Sequence, residues 1–304
     1  MQKIAILGAS GSLGRAVLNG LLSAGFTVTA LLRESSQSKI EHHSNLSILR
    51  IPDSIIECPI DDLVKAVSGQ EALVITIAGS QVREQMRLAD ACESAGVTRI
   101  IPADFGSCDS DDQATVDILP LYSAKYKVRA YLQDLAEKPG SKLTWTSIIG
   151  GHFLDLGLQG DLLLFNVKGR KVDLLNGGNI RFSTSTIDRY GLAVARILQR
   201  PEETKNKIIY VQSACVSQNE LLASLKRATG EQQWSVTDHK WREKLDGARE
   251  KADQGDRDAI EEVVGVWGIV ASNWEKSRQL SNGLLGLENE DVDEIVKRSV
   301  SEIE

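Results

Sequence analysis

The sequence predicts an α/β protein: a doubly wound parallel sheet joined to a smaller, mainly helical cap. Three observations predict it. Apolar runs of strand length alternate with amphipathic helical segments through the first 150 residues. A glycine-rich turn joins the first run to the first helix. After Gly151 the alternation stops and helical patterns take over.

The elements follow in order. "KIAIL" (3–7) is a short buried strand, and "SLGRAVLNGLLSAG" a helix ending at Gly25. "FTVTALLR" (26–33) and "LSILR" (46–50) are the second and third strands. "DDLVKAVSG" is a helix stopped by Gly69, before the strand "ALVITIAG" (72–79). "QVREQMRLADACESAG" is an amphipathic helix closed by Gly96, and "RIIP" the fifth strand. The segment 119–133 is the next helix and "KLTWTSIIGG" (142–151) the sixth strand, anchored by Trp145. Such alternation implies right-handed crossovers and ligands at the C-terminal edge of the sheet.

Beyond it, "GRKVDLLNGGNIRFSTST" reads as a hairpin or loop excursion around Asn176-Gly177-Gly178. "IDRYGLAVARILQR" is a helix halted by Pro201, and "KIIYVQS" a strand returning to the sheet. From Ser217 the pattern is mostly helical. The expected division is a nucleotide-binding domain over 1–150, completed by 187–213, and an interleaved substrate-binding cap region over 151–304.

Composition excludes several classes. The chain has 304 residues, 42% hydrophobic and 25% charged, enough for one large domain or two modest ones. The N-terminal apolar run is too short for a signal peptide, and no run reaches membrane-span length, so the cytosol is the expected compartment. Cys58, Cys92, Cys108 and Cys215 lie far apart with no C-x-x-C pair, which fits neither a disulfide framework nor a zinc site. The net charge is −7, and residues 240–304 hold 16 acids against 10 bases, arguing against nucleic acid as a partner. "CDSDD" (108–112) lacks metal-loop spacing and reads as a solvated loop, so no metal is expected.

The loop after the first strand is Gly8-Ala9-Ser10-Gly11-Ser12-Leu13-Gly14, a G-x-x-G-x-x-G turn. Its context, strand before and helix after, makes it a Rossmann-type phosphate loop. The helix's free N–H groups and positive dipole end would face a pyrophosphate. The second strand ends in Arg33, where an NAD-binding chain would carry an acid for the ribose hydroxyls. A guanidinium there suits a 2′-phosphate, backed by Ser35 and Lys39, so NADP(H) is the expected cofactor. Glu34 is then expected to point to the opposite side.

The helix "LPLYSAKYKVRAYLQ" raises the question of catalysis. A Tyr four residues before a Lys shares its helix face, and the ammonium then lowers the phenol's pKa. Here Tyr122 precedes Lys125 by three and Lys127 by five, so no Tyr-x-x-x-Lys register exists. Lys127 lies about 200° around the helix from Lys125 and should point elsewhere.

The stretches "ILGASGSLGRAVLNGLL", "LLRES", "QVREQMRLADACESAGVTRIIPADFG", "AKYKVRAYL" and "WTSIIGGHF" occur in that order. Together they resemble the NmrA-like family on its isoflavone reductase side, atypical short-chain dehydrogenases that dispense with the catalytic Tyr. "GVTRIIPADFG" is the most specific part, and the resemblance spans roughly residues 4–230 by motif order, thinning in the cap. It implies one lysine, at a K-x-x-V-R-like helix start, as general acid/base and ribose contact. The matching residue is Lys125. Burial and neighbours near a nicotinamide can bring such a lysine's pKa toward working pH.

Sheet-edge topology adds Ala78, Gly79, Ser80, Ala103 and Gly150 as cofactor-side candidates. Phe105, His152, Phe153 and Leu156, with Tyr122 on the face of Lys125, are the substrate-side candidates of an apolar pocket closed by the cap. His152 is read evenly as a pocket residue or a structural one.

The expected function is NADPH-dependent reduction of a small aromatic or conjugated metabolite, the only partner expected apart from a second copy in a homodimer. Two other readings stay open. One is an NADP-binding regulator of the NmrA type, though such regulators characteristically lack the lysine. The other is a redox-silent isomerase or cyclase using the bound cofactor as scaffold.

Overall fold

The structure is a computed structural model and describes residues 1–230 and 233–303. It divides into two compact units. The first comprises Met1–Phe105, Pro120–Ile148 and Tyr190–Ile209, the second Gly106–Leu119, Ile149–Arg189 and Tyr210–Glu304.

The early elements are β1 (Lys3–Leu7), α1 (Ser12–Ser23), β2 (Thr27–Arg33), β3 (Leu46–Ile51) and α2 (Ile60–Val67). They continue with β4 (Ala72–Ile75), α3 (Val82–Ala95), β5 (Arg99–Ile101), α4 (Gln113–Ile118), α5 (Pro120–Glu137) and β6 (Thr144–Ile149). Next come β7 (His152–Phe153), α6 (Leu154–Gln159), β8 (Phe165–Asn166), β9 (Lys171–Leu175) and β10 (Arg181–Ser185). The elements α7 (Ile187–Gln199), α8 (Pro201–Thr204), β11 (Lys207–Tyr210), β12 (Ala214–Ser217) and α9 (Gln218–Ala228) follow. After them come β13 (Ser235–His239), α10 (Trp241–Ala252) and α11 (Arg257–Ala271).

Unit one is built on a seven-stranded sheet in the order β11-β6-β5-β4-β1-β2-β3. The ladders from β3 through β6 are all parallel. The order reverses at β1, so the crossovers leave a crevice at the C-terminal ends of β1 and β4. Along β1, Ala5 and Leu7 join a buried cluster with Leu63 of α2, Leu88 of α3 and Leu132 of α5. Ile4 and Ile6, fully buried as well, point to the opposite face, so the sheet is covered on both sides. Each such side chain contributes roughly 1.5–3 kcal/mol by leaving water.

Glycines set the closest approaches. A Cβ at Gly20 of α1 would lie 2.4 Å from the Gly191 carbonyl oxygen on α7, and one at Gly191 would lie 2.2 Å from that of Ala16. The two helices therefore touch backbone to backbone. Arg99, only 1% exposed, ties the returning segment to the sheet. It donates to Thr144 and Thr146 of β6, to Thr204 Oγ1 and to the Pro201 carbonyl.

Unit two contains two three-stranded sheets, β12-β10-β7 and β13-β9-β8, besides its helices. The turn at Asn176-Gly177-Gly178 does not close a hairpin. β9 pairs with β8 and β13, whereas β10 pairs with β12 and β7. The "CDSDD" stretch is solvated only in part: Asp111 is exposed and Asp112 half-buried, but Cys108 to Ser110 are buried. Asp109 and Ser110 are at most 3% exposed, and Asp109 accepts from the Tyr210 hydroxyl and from Arg278 Nη2 at 3.3 Å. All four cysteines are free and buried. No described helix is long and apolar enough to cross a membrane, and no cluster of potential metal ligands occurs among the described residues.

Candidate active site

The phosphate loop occupies the crevice at the end of β1. Gly8 adopts φ +91°, and a Cβ there would lie 2.7 Å from Thr76 Oγ1, so both conformation and neighbour require glycine. Gly14 is required for a different reason: its Cβ would fall 2.0 Å from the Gly8 carbonyl oxygen. The first turn of α1 is thus folded onto the end of β1. Gly11 is unlike both. It precedes α1 with φ −74°, lies on the surface, and its Cβ would meet nothing nearer than 3.6 Å. Nothing among the described residues demands glycine there. No side chain caps α1, and its first turn carries no acid, so its N–H groups and dipole end face the crevice uncompensated. Ser10, whose carbonyl accepts from Arg15 Nε at 3.0 Å, is half-buried, as is Leu13, while Ser12 is exposed.

A cavity of about 400 Å³ opens beside this loop, lined by Gly8, Ser10, Arg33, Ser36, Asp53 and Gln81 among others. Arg33 is exposed at the end of β2, next to Glu34. The Ser35 hydroxyl is committed to Asp53, donating to Oδ1 at 2.7 Å, and the Ser35 N–H donates to the same oxygen at 2.9 Å. These bonds, the backbone one first, hold the Asp53 carboxyl below the usual carboxylate range. Lys39 is exposed and lies outside the lining of the cavity. Asp53 is a member of the site that the sequence reading missed; its signal was a charged residue just past the third strand, at the same sheet edge as Arg33.

The loop after β4 carries Ala78, Gly79 and Ser80. The ladder ends at Ile75 because Thr76 turns both its N–H and its hydroxyl back to the Leu7 carbonyl, each at 2.9 Å. A Cβ on Gly79 would lie 3.0 Å from Lys125 Cε and 3.0 Å from the Ala103 carbonyl oxygen. Glycine at that position leaves room for the Lys125 stem at the C-terminal edge of β4 and β5. Lys125 is 8% exposed, and its Nζ lies 4.9 Å from the centroid of the Tyr122 ring, a cation–π contact. Lys127, two residues on, is exposed.

One turn beyond Lys125, Arg129 forms an ion pair with Asp104. The Ala103 N–H donates to Gln85 Oε1 at 2.9 Å, which ties the same loop to α3. Phe105 stands edge-on to Tyr190, with ring centroids 5.8 Å apart. Unit one therefore brings together the glycine loop, Arg33, the loop after β4, Ala103, Phe105, Tyr122 and Lys125.

The remaining candidates belong to unit two. The Gly150 carbonyl accepts from Ser185 Oγ at 2.7 Å. Gly151, at φ +74°, would place a Cβ 1.9 Å from the Ser183 carbonyl oxygen. The His152 ring is 1% exposed and lies under α11. Its Nε2 is 3.2 Å from the Gly265 carbonyl oxygen, and a Cβ on Gly268 would fall 2.0 Å from the same nitrogen. Burial pushes its pKa down to about 4, so the ring is neutral. Its Nδ1 is buried with no hydrogen-bond partner among the described residues. Phe153 and Leu156 are half-buried at the start of α6.

A parallel sheet reversing at β1, with a glycine loop opening α1 and a buried lysine at the same edge, defines a Rossmann-type nucleotide-binding protein. The chain belongs to the NmrA-like family, whose model matches residues 1–236. It is 33% identical to the oxidoreductase aprR of Aspergillus flavus over 77% of this chain and 76% of that one. It is 27% identical to the oxidoreductase poxI of Penicillium oxalicum over 95% of this chain and 91% of that one. Among solved structures it shares its fold with AtPrR2, determined with NADP+ and (+)pinoresinol. That match has a TM-score of 0.77 and 18% identity and covers 98% of both chains.

Proposed function

We propose that this chain is an NADPH-dependent oxidoreductase that reduces a small aromatic or conjugated metabolite, with Lys125 as general acid/base. The observation that carries the reading is the placement of Lys125. It is buried on α5, its stem laid along Gly79 at the sheet edge, in the same unit as the glycine loop. The oxidoreductase names of aprR and poxI and the bound NADP+ of AtPrR2 support it.

The residues present fit a dinucleotide. A Cβ at Gly11 would have no described atom nearer than 3.6 Å, no side chain caps the α1 N-terminus, and Arg33 brings positive charge to the adjoining cavity. Gly8, Ser10, Gly11, Ser12, Leu13 and Gly14 would hold the pyrophosphate. Arg33 would take the 2′-phosphate. Bound there, the cofactor would supply hydride from its nicotinamide. Lys125 Nζ would carry the proton exchanged with the substrate oxygen, and Tyr122 beneath it would limit where the ammonium sits. Ala78, Ser80 and Ala103 are proposed as further cofactor contacts and Phe105 as an apolar substrate contact; Gly150, Phe153 and Leu156 belong to unit two.

The test is turnover with NADPH deuterated at the transferable position, against a panel of aromatic and conjugated carbonyl, ether and imine compounds. Label should appear in the product. Lys125→Ala should lower kcat roughly 10²- to 10⁴-fold with a far smaller change in NADPH affinity, while Lys127→Ala changes little. NADPH binding without label transfer to any compound would exclude the redox reading. Equal effects of the two lysine variants would exclude Lys125 as the acid/base.

A further inference from the structure

Arg50 lies on β3, the edge strand of the sheet, and its side chain reaches over the end of β2. A single nitrogen, Nη1, donates to the Arg33 carbonyl at 2.9 Å and to the Ser36 carbonyl at 2.8 Å. Those carbonyls are the two ends of one turn, Arg33-Glu34-Ser35-Ser36, closed by its own bond from Ser36 N to Arg33 O at 3.0 Å. The middle of the turn is held by the same strand and by the residues just after it. Glu34 N donates to the Ile51 carbonyl at 2.9 Å, and Ser35 donates twice to Asp53. A free turn of four polar residues would wander, and holding it leaves less ordering entropy to be lost on binding.

The charges raise a second point. Asp53 lines the same cavity as Arg33 and accepts both Ser35 bonds on one oxygen, so a carboxylate stands where a phosphate would enter. One arginine facing one carboxylate leaves little net attraction for a dianionic group. Arg50 lies outside the lining of that cavity, but its guanidinium, bonded to the turn that carries Arg33, brings a second positive charge beside it. Among the described residues its Nη2 and Nε make no hydrogen bond, so two nitrogens of the guanidinium stay available to an anion.

We propose that Arg50 is a specificity-determining residue for the dinucleotide, pinning the Arg33–Ser36 turn from below and adding the second positive charge that selects a 2′-phosphate. This rests on the reading that Arg33 faces the 2′-phosphate of NADP(H). The role is that of a positioning and charge-supplying residue, outside the chemical step.

The experiment is equilibrium binding of NADPH, NADH, adenosine 2′,5′-bisphosphate and 5′-AMP to the full chain, measured by calorimetry. Wild type, Arg33→Ala, Arg50→Met and Arg50→Lys are compared. Arg50→Met should weaken NADPH and the bisphosphate on the order of 10-fold while NADH and 5′-AMP stay within about two-fold. Arg50→Lys should recover part of that loss, because it returns the charge without the planar fork. Equal weakening of all four ligands would reduce Arg50 to general support and overturn the inference, as would no change at all. A wild type that prefers NADPH, with Arg33→Ala losing that preference and Arg50→Met keeping it, overturns this inference alone. A wild type that binds NADPH and NADH alike overturns the cofactor reading and this inference together.

Discussion

Arg129 and Asp104 form a buried ion pair at the root of the candidate site: Nη2 and Nε of Arg129 lie 2.5 and 3.0 Å from the same oxygen, Oδ2, and neither side chain is more than 2% exposed. The other oxygen, Oδ1, is buried without a hydrogen-bond partner. The pair joins α5 to the end of β5, one helical turn from Lys125, so it fixes where the lysine stands. Arg129→Met takes the cation away from a buried carboxylate, and Asp104→Leu takes a carboxylate acceptor from a buried guanidinium. Arg129→Met or Asp104→Leu should each destabilise by about 3–5 kcal/mol, and the double variant by less than their sum. Urea midpoints of the four proteins give the coupling. Strictly additive losses would show that the pair does not act as a unit.

The glycine loop separates stability from binding. Gly14→Ala drives a methyl into the Gly8 carbonyl and should cost roughly 1–3 kcal/mol or more, lowering the melting temperature. Gly11→Ala brings its methyl only to an ordinary 3.6 Å contact with the Gly8 carbonyl oxygen and has an ordinary φ, so stability should fall by only about 1 kcal/mol or less. Its NADPH affinity should nevertheless drop clearly, because the added methyl occupies the space assigned to phosphate. An unchanged NADPH dissociation constant for Gly11→Ala would remove the loop from the binding site.

Arg33 carries the expected discrimination between cofactors. A charge-assisted hydrogen bond lost at that position corresponds to roughly 10- to 150-fold in affinity, so Arg33→Ala should erode an NADPH preference by a factor in that range. NADH binding should change little. Competition titrations at fixed ionic strength measure both, and a preference that survives the substitution would move the phosphate contact elsewhere.

His152 makes the stability of the chain depend on pH in a defined window. Burial depresses its folded pKa from 6.5 to about 4, so between those values the unfolded chain binds a proton that the folded chain does not. Stability from this group is complete above about pH 6.5 and is lost as pH falls toward 4. The total is on the order of 3 kcal/mol. His152→Gln should be less stable at pH 7 yet flatter from pH 6.5 to 4, which urea midpoints across that range would reveal. Parallel slopes for the two proteins would show that the ring takes up no extra proton on unfolding.

Much of unit one was legible because its signals are local. Strand runs, helical periodicity and terminal glycines act within a dozen residues. α3 ends as expected at Gly96, with φ +77° and a Val97 N–H reaching back to the Cys92 carbonyl at 2.9 Å. The 3.6-residue period also separates the buried Lys125 from the exposed Lys127. Unit two was less legible. β7 and β8 have two residues each, and β13 is mostly exposed, so none shows the alternation that marks a strand.

The sequence by itself determined the order of strands and of the main helices in unit one, the glycine loop, the arginine ending the second strand and the single lysine on the inward face of α5. Each depends on the residue itself and its near neighbours. Only the tertiary structure decided that Asp104 meets Arg129, that Arg50 and Asp53 hold the Arg33 turn, and that His152 disappears under α11. These pairings join segments 14 to 113 residues apart, counted from Arg50 with Ser36 to His152 with Gly265. Such pairings are selected by burial and by the need to satisfy polar groups out of water. Those conditions exist only once the chain has packed, and no local pattern records them.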